Sequence, residues 1–131
     1  MDKIKILDQK EFPPQLLEIP EPPEKLYIKG TLPPADALYL AVVGSRKYTS
    51  YGKEACEKII SDIGRSSVSS HQPIVIVSGL ALGIDAIAHR AALDAGLTTV
   101  AFPGSGLNDS ALYPAANFNL AKKIIESGGT L

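Results

Sequence analysis

Hydrophobic and polar positions divide this chain near residue 36, and the regular part lies beyond that point. Leu38–Val43, Pro73–Val77 and Thr98–Phe102 are short, nearly continuous apolar runs rich in β-branched residues, each followed by a turn containing glycine. Between them the period changes. Tyr51, Ala55, Ile59 and Ile63 recur at helical spacing, with Thr49 or Ser50 as the N-cap and Gly64 as the C-terminal stop. Ile84–Ala95 is an alanine-rich second helix ended by Gly96, and Asn117–Ser127 is a third, ended by Gly128-Gly129. Strands without polar alternation belong in a parallel sheet covered on both faces, so the pattern predicts an α/β fold of three layers built from β-α units. Arg65–Gln72 reads as a mostly polar linker without a site. Gly129-Thr130-Leu131 falls where a fourth core strand could begin, which leaves a natural short form and a fragment as alternatives. An uncovered sheet edge would favour a homodimer.

Residues 1–36 form a lead-in of different character, holding seven of the ten prolines. Proline removes a backbone donor and turns the preceding residue away from helix, so this part is expected to be extended or irregular. Phe12, Leu16, Leu17 and Ile19 are expected to pin it to the body, and Lys25–Lys29 to form a short, edge-type strand. Two regions result, a proline-rich lead-in over 1–36 and an α/β domain over 37–131.

Composition changes this picture in two places. The formal net charge is −1, so no global basic field draws in a polyanion and any anion site must be local. Met1-Asp2-Lys3-Ile4-Lys5 has no apolar run behind it and does not read as a signal peptide. With no membrane-length apolar stretch and a single cysteine, Cys56, the expected setting is the cytoplasm, without a membrane partner.

The candidate chemistry sits after the strands. In an open parallel sheet, ligands bind at the carboxyl ends. All three runs end in glycine loops that lead towards helices: Gly44-Ser45-Arg46-Lys47, Ser78–Asp85 with Gly79 and Gly83, and Pro103-Gly104-Ser105-Gly106. Glycine lets a ligand approach the backbone, and helix N-termini offer free N–H groups, so three such loops on one edge make a candidate anion cradle. For Arg46 and Lys47, a forked contact to phosphate and a solvated surface pair fit the spacing equally. Asp85 and His89 stand four residues apart on the second helix. The simpler reading is a dipole-favoured first-turn acid with His89 as its partner; the sharper one is a polar pair facing the ligand. Other chemistry is excluded. The spacing from Gly44 to Gly52-Lys53 is wrong for a phosphate-binding Walker loop, and Gly104-Ser105-Gly106 does not continue as a dinucleotide fingerprint. His71, His89 and Cys56 do not form a metal-ligand cluster. Ser45, Ser78 and Ser105 are placed as hydrogen-bond donors, and Cys56 as a packed mid-helix residue.

These motifs carry a resemblance. Val42-Val43-Gly44-Ser45-Arg46-Lys47 with Tyr51-Gly52, the run from Ser78 to Leu93, and Gly104-Ser105-Gly106-Leu107 with Tyr113-Pro114 and Asn117 resemble the signature loops of the DNA-processing protein A family (DprA, also called Smf). Pro22–Gly30 is similar to its lead-in strand, and the resemblance runs in order over residues 12–131. It implies a Rossmann-like domain that binds single-stranded DNA, dimerises, serves DNA uptake in natural transformation and helps load a RecA-type recombinase. The candidate DNA- or phosphate-binding set is then Gly44, Ser45, Arg46, Lys47, Ser78, Gly79, Gly83, Asp85, Gly104, Ser105 and Gly106, with no catalytic residue, cofactor or metal. Two departures stand out. Leu82 occupies a position where the family often has arginine, and the sequence ends before the family's later half, so the 37–131 domain is expected to fall short of the full family domain. Two alternatives stay open: a sensor of a nucleotide-derived ligand, and a phosphoribohydrolase-like domain. Against the latter, Asn108 and Ala111 stand where such an enzyme's loop has threonine and glutamate.

Overall fold

The computed structural model describes residues 3–131, with the side chains of 68–70 excepted; Met1 and Asp2, on which part of the N-terminal reading falls, lie outside it. The lead-in contains strand β1 (Lys5–Asp8), a 3-10 turn (Gln9–Glu11), a one-turn helix α1 (Pro14–Leu17) and strand β2 (Lys25–Ile28). The regular part follows as β3 (Leu38–Ala41), α2 (Ser50–Ser70), β4 (Ile74–Ser78), α3 (Ile84–Asp94), β5 (Thr98–Ala101), a 3-10 turn (Ala115–Asn117) and α4 (Phe118–Glu126).

β3, β4 and β5 form a parallel sheet in sequence order. Right-handed crossovers between sequentially ordered strands carry every connecting helix to the same side. The packing agrees. Ile76 and its cross-strand partner Thr99 face the helices, where Ile76 packs with Ile60 of α2 and with Ala88, Ala91 and Ala92 of α3. Ala101, two residues beyond Thr99, packs with Leu120, Ala121 and Ile124 of α4. The opposite face presents Val75, Val77 and Val100, which cluster with Ala37 and Tyr39. The third layer on that side is the lead-in segment and not a second set of helices. Between it and the sheet lies an apolar groove of about 900 Å³ lined by residues such as Leu16, Leu26, Tyr39 and Phe102. Burial on this side raises the Tyr39 hydroxyl pKa above its usual value.

The lead-in joins the sheet through backbone pairing. β1 and β2 pair antiparallel. Past β2, Gly30 bridges Thr130 antiparallel, while Thr130 bridges Val100 in parallel. The position expected for a fourth strand is therefore taken by Thr130, held between β5 and the lead-in. Phe12 and Leu16 pack with Leu7 and Ile28 inside the lead-in itself and do not pin it to the body as expected, and Leu17 and Ile19 are exposed.

Helix α2 departs most from its pattern. Thr49 caps it, its hydroxyl oxygen accepting the Gly52 N–H at 3.0 Å. Gly64 does not stop it; the helix runs through the expected linker to Ser70 and ends at His71 in a left-handed conformation. The reason is close packing, since a Cβ on Gly64 would lie 2.9 Å from the Ala95 Cβ. Glycine serves there to let α2 meet the end of α3. The inward stripe also shifts from the predicted one: Ile60 is fully buried while Ile59 is 58% exposed. Cys56 borders the same cluster, and burial, with Glu57 adding to it, raises its thiol pKa.

The packing role of Gly64 has a measurable consequence. Helix propensity alone would make Gly64→Ala more stable by about 1 kcal/mol. We expect that gain to be absent in urea unfolding, and Gly64→Val to lose roughly 1–3 kcal/mol through overpacking. A full propensity gain for Gly64→Ala would show that the contact is loose.

Candidate functional site

The three glycine loops meet at the carboxyl edge of the parallel sheet. The first two are in backbone contact. Gly83 caps α3 with φ +88° and ψ −132°, a conformation open only to glycine. A Cβ there would stand 2.3 Å from the Ser45 carbonyl oxygen and 2.6 Å from the Arg46 Cα. The Ser45 carbonyl accepts the Ile84 N–H at 3.1 Å, so the first loop supplies a partner for an N–H of the first turn of α3. Gly44 is equally enclosed, with no room for a Cβ against the Ile84 side chain. The Ser45 hydroxyl oxygen accepts the Lys47 N–H at 2.9 Å and turns the chain so that Arg46 and Lys47 stand in solvent. Neither takes part in an ion pair among the described residues.

Side chains from three elements hold the second loop. Ser78 donates its hydroxyl to the Val42 carbonyl at 2.6 Å, tying the end of β4 to the residue after β3. Asp85, buried in the first turn of α3, accepts the Gly79 N–H at 3.1 Å. Asn117, buried ahead of α4, donates its amide to the carbonyls of Leu80 at 2.9 Å and Ala81 at 3.3 Å. Leu80 itself is buried with a left-handed φ of +59°, a shape these anchors sustain.

The third loop is more open. Nothing lies near a Cβ built on Gly104. The Ser105 hydroxyl oxygen accepts the Tyr113 N–H at 3.0 Å and fixes the far side of the loop. Lys29 of the lead-in reaches Asp109 at 3.2 Å and secures the segment that follows. Among these loops opens a cleft of about 250 Å³ lined by Arg46, Gly79, Ala81, Leu82, Gly104, Tyr113 and Pro114.

The predicted residues thus fall into separate groups. Arg46, Gly79 and Gly104 border the cleft. Ser45 and Lys47 belong to its first loop, while Ser105 and Gly106 line the apolar groove instead. Gly44, Gly83, Ser78 and Asp85 lie behind the cleft. Ser78 and Asp85, both in the candidate binding set, are buried and engaged with the backbone: Ser78 donates a hydrogen bond, and Asp85, an acid in the first turn of α3, accepts the Gly79 N–H. The sequence reading did not assign Asn117 a role, although a buried asparagine one residue before a helix has the two donors needed to hold a loop.

The expected Asp85–His89 pair does not form. His89 is fully buried on α3, and its Nδ1 lies 2.7 Å from the Thr99 hydroxyl oxygen. That hydroxyl donates to the Ile76 carbonyl at 2.8 Å, so Nδ1 carries the proton and donates. Nε2 is left as an unpartnered buried lone pair. Burial lowers the His89 pKa to about 4, with the Asp85 charge acting weakly the other way.

Among the described residues no cluster has metal-binding composition, and no helix is long and apolar enough to cross a membrane. The family model for DNA recombination-mediator protein A matches residues 3–131. The chain belongs to that family. A curated relative, Protein Smf of Escherichia coli strain K12, is 36% identical over 128 residues, covering 95% of this chain and 31% of its own length. The X-ray structure of DNA processing protein A from Streptococcus pneumoniae superposes with a TM-score of 0.77 at 33% identity, over 98% of this chain and 42% of that one. DNA processing protein A from Helicobacter pylori, whose structure concerns a single-stranded DNA binding mode, gives a TM-score of 0.78 at 26% identity, over 98% and 54%. The chain spans about a third to a half of the length of these recombination-mediator relatives.

Two tests follow from the supports of this family fold. Gly83→Ala is expected to destabilise by about 1–3 kcal/mol and to displace the first loop, seen as amide shifts at Ser45 and Arg46; a wild-type spectrum and midpoint would contradict the contact. For His89, the folded pKa lies below the unfolded value of 6.5, so its contribution to stability is full above 6.5 and is lost as pH falls towards about 4. At about 1.4 kcal/mol per unit this amounts to roughly 3 kcal/mol. Urea midpoints measured from pH 7 to pH 4 should drop for wild type and drop markedly less for His89→Gln; parallel curves would refute the assignment.

Proposed function

We propose that this chain is a non-enzymatic single-stranded DNA-binding domain of DprA type. The observation that carries the reading is Arg46: exposed, without an ion-pair partner among the described residues, and lining a cleft that the open backbone at Gly104 also lines. A guanidinium forks well onto phosphate, and backbone without side chains admits a strand closely. The likeness to the H. pylori protein, whose structure addresses single-stranded DNA binding, supports the same ligand class. The whole protein's setting follows the family resemblance: DNA uptake, loading of a RecA-type recombinase, and a homodimer. The unpaired edge of β3, where Leu38 and Leu40 are exposed, supports the dimer.

Arg46→Ala should weaken binding of a labelled oligo-dT by about tenfold and reduce the slope of log affinity against log salt by about 0.7, the share of one single-strand phosphate contact. Fluorescence anisotropy at two or more salt concentrations checks both. Equal affinity and slope in wild type and variant would remove Arg46 from the site.

Leu82, exposed at the cleft in place of a cation, favours a second reading, a sensor of a small nucleotide-derived ligand. A thermal-shift series of mononucleotides beside oligonucleotides separates the two.

A further inference from the structure

Tyr113 stands apart from the other exposed aromatic residues. Tyr48 and Tyr51 lie at the start of α2 outside the cleft, and Tyr27 and Phe102 line the apolar groove on the other side of the sheet. Tyr113 lines the strand-end cleft together with Arg46 and is 72% exposed. A ring so exposed adds little to the core, yet its backbone is anchored. Its N–H donates to Ser105, and it lies between buried Leu112 and the segment leading to buried Asn117. The cleft is thus lined by a cation, Arg46, by glycine backbone at Gly79 and Gly104, and by Tyr113 and Leu82. Its volume of about 250 Å³ is near the lower bound of roughly 300 Å³ for small-molecule pockets, which suits one nucleotide unit.

Resting on the proposed DNA-binding reading, we infer that Tyr113 is a base-stacking platform, so that the cleft takes a nucleotide as phosphate plus base and not as backbone alone. The phosphate sits at Arg46 and the base lies on the Tyr113 ring, with Leu82 as its apolar neighbour. Replacing a cation with leucine weakens phosphate attraction and adds apolar surface, which shifts the basis of affinity towards the base. Stacking of this kind tolerates any base, because every base has a π-face.

The test compares oligo-dT with an abasic deoxyribose-phosphate oligomer of equal length, using the full chain. Wild type should bind oligo-dT about tenfold more tightly than the abasic oligomer. Tyr113→Ala should lose that preference, and Tyr113→Phe should retain it. Because the chain has no tryptophan, Tyr113→Trp supplies a single indole whose emission oligo-dT should quench and the abasic oligomer should not. Equal wild-type binding of both oligomers would overturn the stacking role while leaving DNA binding intact. A preference that survives in Tyr113→Ala would place the base elsewhere. Failure of wild type to bind either oligomer would overturn both readings.

Discussion

Where α3 begins, the backbone at Gly83 lies against the Ser45 carbonyl and the Arg46 Cα with no space for a side chain. That contact fixes the position of the first loop relative to the second helix, and Ile84 reinforces it by donating its N–H to Ser45. The candidate site depends on it, because the direction in which Arg46 leaves the surface is set by a backbone that Gly83 holds. Gly44, enclosed by Ile84, meets the same limit from the other side. Gly44 and Gly83, which look like turn punctuation in the sequence, form with Ser45 and Ile84 one close-packed joint.

Behind this joint lies a layer of buried polar groups whose partners are backbone groups of the loops. Asp85, Ser78 and Asn117 each hold part of the second loop or of the strand leading to it. Buried polar groups are tolerated when they are hydrogen-bonded, and here the bonds give the irregular backbone a definite shape. His89 and Thr99 do the same between α3 and the sheet, at the expense of an imidazole kept neutral. With a net charge of −1, the chain has no long-range field to concentrate an anion. The exposed cations nearest the cleft are Arg46 and Lys47, and the loop that carries them is shaped by the buried polar layer beneath.

Much of this was legible in the sequence. The β-α alternation followed from apolar runs and helical periods, and the three loops were found because strand ends are where such folds bind ligands. What escaped were facts about which neighbour a residue meets. Gly64 has the sequence signature of a helix stop and is a helix–helix contact; nothing within α2 reveals Ala95. Asp85 and His89 have the spacing of a pair, but each finds a better partner across the fold, Gly79 and Thr99. The single-sided arrangement of the helices was hidden for a similar reason, since apolar strands look alike whether helices or a lead-in segment cover the second face. Ile60 rather than Ile59 turns inward because α2 meets α3 along a line that periodicity within one helix does not define.

The central claim is that the strand-end loops, joined at Gly83, form the surface that meets single-stranded DNA. A titration of the isotopically labelled chain with oligo-dT, followed by amide chemical shifts, addresses it directly. Saturable shifts are expected at residues 44–47, 79–83 and 104–106, with the outer surface of α2 and the lead-in segment unmoved. Shifts centred instead on the lead-in segment, with residues 44–47 and 79–83 silent, would contradict it.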